Sequence, residues 1–125
     1  MFDNKEYKQC KKECIKILEK NSDNIEVLAL KGITLAHLGE KDEGLKDIKD
    51  AIKKKFSNPI PWHFLALYYK EEKNYEQAMK NYTMALKHDS QNFNILREQS
   101  YLQLYLRYYE SFLEATKKAL NLRSS

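Results

Sequence analysis

The chain has 125 residues, 42% hydrophobic and 32% charged, which suits one ordinary domain or a piece of a longer one. Its 22 basic and 18 acidic residues leave a net charge of +4, an excess that permits an acidic partner without requiring one. Three glycines and two prolines exclude an all-β fold, which needs a turn every few residues, and no apolar run approaches the roughly 20 residues of a bilayer span.

Leu, Lys, Glu and Ala dominate long stretches, so helix is the default. The pattern predicts seven helices, over 4–20, 24–38, 41–54, 60–72, 75–88, 93–106 and 109–122. The opening MFDNKEYKQC lacks the apolar core of a signal peptide. Cys10 and Cys14 lie four apart on the first helix, where a bridge is geometrically poor. Two thiols without a disulfide framework fit a reducing compartment, cytosol by default or nucleus. Asn21-Ser22-Asp23-Asn24 and Asp89-Ser90-Gln91-Asn92 are cap-rich breaks. Gly39 marks a tight turn, and Lys53-Lys54-Lys55 closes a helix where positive charge suits the dipole. Pro59 and Pro61 sit at a helix start, where the first N–H groups need no partner.

The chain matches itself at a shift of 34 residues. Leu28, Trp62 and Leu96 are bulky; Gly32, Ala66 and Ser100 are small; Ala51, Ala85 and Ala119 are identical and are followed by Ile52, Leu86 and Leu120. That period with those positions is the signature of tetratricopeptide repeats, each a helix, a turn and a second helix. Small residues let two helix axes approach, and the bulky residue fills the gap beside them. The copy from Pro59 to Asn92 is the clearest, with Trp62, Leu65, Ala66, Tyr69, Tyr75, Ala78, Tyr82 and Ala85 at consensus spacing. The copy before it departs at Lys31 and Gly44, and the one after it carries bulky Phe112 where a small residue is usual.

The expected fold is an all-α right-handed superhelix forming a single repeat domain over 1–125. Residues 1–24 are the second helix of a truncated repeat, and 25–58, 59–92 and 93–125 are repeats. This organisation reads as a piece of a longer array, with apolar ends open to self-association. The phasing also buries Trp62.

No catalytic apparatus emerges. Gly32, Gly39 and Gly44 form no phosphate loop, the two cysteines have no histidine at metal-ligand spacing, and His37, His63 and His88 fall in separate repeats. No cofactor, metal or catalytic residue is implied. A partner is expected in the concave groove, lined by positions 2, 5, 9, 12 and 13 of each repeat. These are Glu26, Ala29, Ile33, Ala36 and His37, then Ile60, His63, Leu67, Lys70 and Glu71, then Asn94, Arg97, Tyr101, Leu104 and Tyr105. Arg97, Tyr101 and Tyr105 have the character of an interface anchor, offering large area with a polar handle; packing against neighbouring helices is the competing reading. The Lys and Asn clamp by which some repeat proteins hold chaperone carboxylates is missing, since those positions carry Ala29, His63, Arg97, Ile33, Leu67 and Tyr101. A chaperone or assembly adaptor is therefore the weaker alternative. Lys11, Lys12 and Lys16, and Lys49 with Lys53 to Lys55, form a solvated surface or a weak contact for ribosomal RNA. No aromatic platform accompanies them for sequence-specific reading.

The segments LALKGITLAHLGEKDEG (28–44) and 61–123 resemble the N-terminal region of the auxiliary subunit of the N-terminal acetyltransferase A complex. The likeness lies in Lys31–Leu35 with Leu38–Gly39, Trp62–His63, Tyr75–Leu86, Asn92–Glu98 and Leu120–Arg123. Lys31, His63 and Arg97 are not generic repeat residues. The resemblance implies a non-catalytic helical-repeat scaffold that wraps a separate catalytic subunit and docks it at ribosomes, where that subunit acetylates nascent chains. It also implies contact with further repeats of the same full-length chain. No acetyl-CoA segment or strand is present in the pattern to build the catalytic fold. The resemblance transfers no binding residue; the groove positions rest on repeat geometry.

Overall fold

A computed structural model describes residues 4–124, with side chains to Asn121. Among them there are six helices and no strand: α1 (Asn4–Lys20), α2 (Ile25–His37), α3 (Lys41–Lys54), α4 (Pro59–Glu71), α5 (Tyr75–His88) and α6 (Phe93–Ser124). Residues 1–3 and 125 of the expected repeat spans lie outside the described residues.

Each repeat's first helix starts the same way. Asn24, Asn58 and Asn92 stand 34 apart, and each side-chain oxygen accepts an N–H of the first turn: Val27 at 3.2 Å, Ile60 at 3.0 Å and Ile95 at 3.2 Å. An asparagine in this place satisfies a donor that the helix leaves unpaired. Asn74 caps α5 in the same way, through the Gln77 N–H at 3.3 Å. The turns inside the pairs also repeat. Gly39 has φ of +92°, and Lys73, 34 residues on, takes the left-handed conformation at φ +63° without being glycine. A left-handed residue just past a helix end lets the chain reverse and satisfies the last carbonyls.

The helices pack as antiparallel neighbours: α2 on α3 and α4 on α5, with α1 against α2, α4 against both α2 and α3, and α6 against α5. Where α2 crosses α3 the backbones touch. A Cβ on Gly32 would lie 2.6 Å from Ile48 Cγ1 and 2.7 Å from the Gly44 carbonyl; one on Gly44 would collide with the Gly32 carbonyl. Gly44, which departs from the alanine usual at its position, therefore belongs to a close glycine–glycine contact. Two cores form, one on Ile33, Ile48, Ile52 and Leu65, the other on Ala66, Ala78, Tyr82, Ala85, Ile95 and Leu102. Trp62 and Tyr69 pack against both. The expected burial of Trp62 is met only in part. Its ring is half-buried between the cores, lies edge-on to Phe56, and donates Nε1–H to the Phe56 carbonyl at 3.0 Å.

The largest departure from expectation is α6. Spans 93–106 and 109–122 are one helix of 32 residues, so the seven expected helices are six among those described. Arg107 stands where Gly39 and Lys73 turn, Tyr108 cannot cap as Asn74 does, and no glycine, proline or asparagine interrupts the stretch between them. Phe112 fills the place where Gly44 and Ala78 make the close crossing. Nothing stops the helix, so it continues.

Candidate partner-binding cleft

The groove positions do not share one fate. Ala29 and Ile33 are buried, at 0% and 6% exposure, and present no side-chain surface to a partner. Ile33 lies in one core with Leu65 of α4, where α2 and α4 touch. Ala36 and Leu67 are half-buried. His37 is committed to neighbours: its ring stacks on Tyr7 at 4.6 Å, and Nε2 lies 3.4 Å from Glu71 Oε1. His63 is committed too, with Nε2 2.5 Å from Glu98 Oε2, which ties α4 to α6. The two histidines thus join successive first helices through a carboxylate, a link that repeats along the groove.

Glu26, Ile60 and His63 come together in a hollow of about 440 Å³ beside the turns that join the repeats, with Lys55, Asn58 and Asn92 around it. Asn94 and Arg97 are exposed, with Arg97 Nη2 donating to Asn94 Oδ1 at 3.2 Å. Arg97 does not line either hollow. Leu104 is exposed.

Lys70, Tyr101 and Tyr105 converge. With Tyr75, Glu98 and Leu102 they line a cleft of about 370 Å³ between α4, α5 and α6. Leu102 is buried at its base, while Tyr101 and Tyr105 stand 66% and 50% exposed at its rim. The Tyr75 and Tyr105 rings lie 5.5 Å apart, and Tyr109 stacks on Tyr105 at 6.4 Å. A hydrogen bond with Tyr75 raises the Tyr105 phenol above its ordinary pKa. The cleft therefore offers an apolar floor, aromatic walls, one ammonium and one carboxylate. Those groups suit a side chain of a protein partner, which gains area on the rings and a polar contact at the rim. Glu98, Leu102 and Tyr75 were not among the expected groove residues. Tyr75 starts the second helix of its repeat and reads in sequence as a packing residue. Glu98 is legible only once the 35-residue step from His63 is seen as a contact.

Among the described residues no group of three His, Cys, Asp or Glu side chains is placed to hold a metal ion. No described helix is long and apolar enough to cross a membrane. Cys14 is 2% exposed, and burial, with Cys10 beside it, pushes its thiol up to about 12.

Residues 1–123 match the model of the Psidin N-terminal TPR repeats region. The chain belongs to that family. Its Psidin-type repeats are 36% identical over 124 residues to human N-alpha-acetyltransferase 16, NatA auxiliary subunit, covering 98% of this chain and 14% of that protein. They are 34% identical over 122 residues to the Arabidopsis thaliana N-terminal acetyltransferase A complex auxiliary subunit NAA15, again 98% of this chain and 14% of the other. Among solved structures, Naa15/Naa10 bound to HypK-THB matches with a TM-score of 0.76 and 28% identity, over 95% of this chain and 18% of the matched chain. The chain thus spans about one seventh of the length of these curated relatives. The Psidin-type repeats and the all-α tetratricopeptide fold agree with the resemblance carried by Trp62–His63 and Asn92–Glu98.

Proposed function

We propose that this chain is part of a non-catalytic scaffold of an N-terminal acetyltransferase A complex, and that it contributes to holding the catalytic subunit. The observation that carries this reading is the 36% identity to a NatA auxiliary subunit, sustained over 98% of the chain. The likeness in fold to a chain of the Naa15/Naa10 assembly supports it. The cleft of Lys70, Tyr75, Glu98, Tyr101 and Tyr105 supplies a surface of the right character. The reading also carries a cytoplasmic setting, further repeats of the same full-length protein, and docking at the ribosome. Contact with ribosomal RNA is not favoured on α3, because Asp42 and Asp50 sit among Lys46, Lys49 and Lys53 and dilute the positive field.

The test is co-purification from cell extract with this chain as bait, beside the variant Lys70→Ala, Tyr101→Ala, Tyr105→Ala. The expected result is recovery of the acetyltransferase catalytic subunit by the parent chain and its loss with the triple variant. Recovery by both places the contact outside the cleft. Recovery of chaperones alone overturns the scaffold in favour of an adaptor.

A further inference from the structure

We propose that Cys10 and Cys14 form a two-thiolate site for a soft monovalent metal ion, copper(I), on the seam between α1 and α2. The partner cleft uses neither residue, and the site does not depend on the acetyltransferase scaffold reading.

Three helices build the site. Cys10 and Cys14 stand one turn apart on α1, so their side chains share a face. That face lies on α2. Cys14 is 2% exposed; Cys10 is half-buried, with its Sγ 3.4 Å from Thr34 Oγ1. The Thr34 hydroxyl donates its proton to the Leu30 carbonyl at 2.7 Å, so its oxygen accepts the Cys10 S–H. This bond turns the Cys10 sulfur inward, and the two thiols are in hydrogen-bond contact. The Lys31 ammonium, held 3.2 Å from Asp47 of α3, is close enough to act on Cys14.

Geometry decides what the pair can hold. A disulfide needs its Cβ atoms about 3.8 Å apart, whereas residues four apart on a helix keep them at about 5–6 Å. A bridge would therefore unwind α1 at a buried position. A metal ion between the sulfurs holds them about 4.6 Å apart, twice a metal–thiolate bond of about 2.3 Å, and the helix stays intact. Ligand count then selects the ion. Among the described residues no third His, Cys, Asp or Glu joins the pair. Glu13, the nearest carboxylate in sequence, is exposed and accepts from Gln9 at 2.9 Å. Structural zinc and iron–sulfur clusters take four ligands, so neither fits. Soft thiolates also select copper(I), a closed-shell ion that two sulfurs complete in a near-linear arrangement. On binding, each thiol releases its proton to solvent, two copper–sulfur bonds form, and no electron is transferred. The complex carries one negative charge, which the Lys31 ammonium offsets. Cys10, the more accessible sulfur, receives the ion first and passes it inward to Cys14.

The test is a titration of the reduced 125-residue chain, without oxygen, against the coloured bicinchoninate complex of copper(I). The expected result is withdrawal of one copper(I) per monomeric chain, unchanged by an excess of zinc. X-ray absorption of the loaded chain is expected to show two sulfur neighbours and no nitrogen or oxygen. Cys10→Ser and Cys14→Ala are each expected to weaken uptake by more than the roughly 10–100-fold that a residue behind the ligands costs. Cys10→Ser changes a partly exposed side chain, and an unchanged circular-dichroism melt shows that it is folded. Failure to withdraw copper overturns the site, as does equal uptake by the folded Cys10→Ser chain. Nitrogen or oxygen neighbours mean an adventitious ion only. One copper per two chains assigns the binding to a bridge between copies, and displacement by zinc contradicts two-coordinate geometry; either result overturns the proposal.

Discussion

In the α2–α3 pair two stretches of one repeat lie backbone against backbone; in α6 the corresponding stretches run on in a line and never meet. The period is the same in both, and so is the spacing of Ala51 and Ala119 and of Ile52 and Leu120. What differs is local. The pair has Gly32 on Gly44 and a left-handed Gly39; α6 has Ser100, Phe112 and a helical Arg107. The pair α4–α5 lies between them, with Ala66 and Ala78 at the crossing and Lys73 at the turn. The comparison teaches that inward-facing apolar residues do not by themselves make a helical hairpin. The crossing must be small enough to close, and a residue at the turn must leave the helix.

The strongest way to break the packed side of that comparison is at Tyr82, which is fully buried between α4, α5 and α6. Tyr82→Ala is expected to cost about 4 kcal/mol, the loss typical of a buried large aromatic, read from denaturant unfolding. Tyr82→Phe separates ring from hydroxyl. The buried phenol oxygen has no hydrogen-bond partner, so removing it is expected to leave stability equal or raise it by about 1 kcal/mol. A loss in the Phe variant as large as in the Ala variant contradicts that assignment. The crossing itself is sharpened by Gly44→Ala. Alanine gains about 1 kcal/mol of helix propensity. Its Cβ, however, meets the Gly32 carbonyl and, at 2.9 Å, the Ala36 nitrogen, both backbone. Overpacking against atoms that cannot turn aside is expected to win, with a net loss of about 2 kcal/mol. A gain in melting temperature instead refutes the close crossing.

Much of this architecture is legible in the sequence because the repeat is written in residue size. Helices α1 to α5 start and stop close to the expected boundaries, and the matched alanines Ala51 and Ala85 are buried. The end of α6 is not legible, because a hairpin was inferred from inward-facing positions while Arg107 and Phe112, which decide it, look unremarkable as types. The site is less legible still. The groove positions follow from a regular superhelix, yet Ala29 and Ile33 are buried, Ile33 in a core shared with Leu65 of α4. The period places His63 among the groove positions, but its carboxylate partner Glu98 lies in the next repeat. Lys70, Tyr101 and Tyr105 do line one cleft, but Tyr75 and Glu98, which complete it, belong to a second helix and to a pairing between repeats.

Titration probes the packed side without mutation. Burial raises Cys14 to about 12 and also raises Tyr82, from ordinary values of 9.0 and 10.0. Between about pH 9 and 12 the unfolded chain loses protons that the native chain keeps, so it binds fewer. Stability is therefore flat below pH 9 for these two groups and falls as pH rises beyond it. The expected slope approaches about 1 kcal/mol per pH unit for Cys14 once the pH passes 9 and for Tyr82 once it passes 10, followed by the urea midpoint. A midpoint unchanged to pH 10.5 contradicts their burial.

The smallest expected effect tests the link between the two regions. His63 and Glu98 join α4 to α6, with side chains about a quarter exposed. Lys80 and Glu76 form a pair within α5 at 3.6 Å and lie largely in solvent. An exposed ion pair contributes little, because water screens it and both side chains lose freedom on forming it. His63→Ala is expected to cost about 1 kcal/mol, since it also strips a partner from a partly buried carboxylate; Lys80→Ala is expected to change stability by less than about 0.5 kcal/mol. Both are read from the same unfolding curves at low and at high salt. If His63→Ala matches Lys80→Ala at both, then Glu98 does not hold α6 against α4. The attachment of α6 then rests on Ile95 and Leu102 in the core, on Leu106 packed against it, and on the Gln99–Thr83 and Tyr75–Tyr105 contacts with α5.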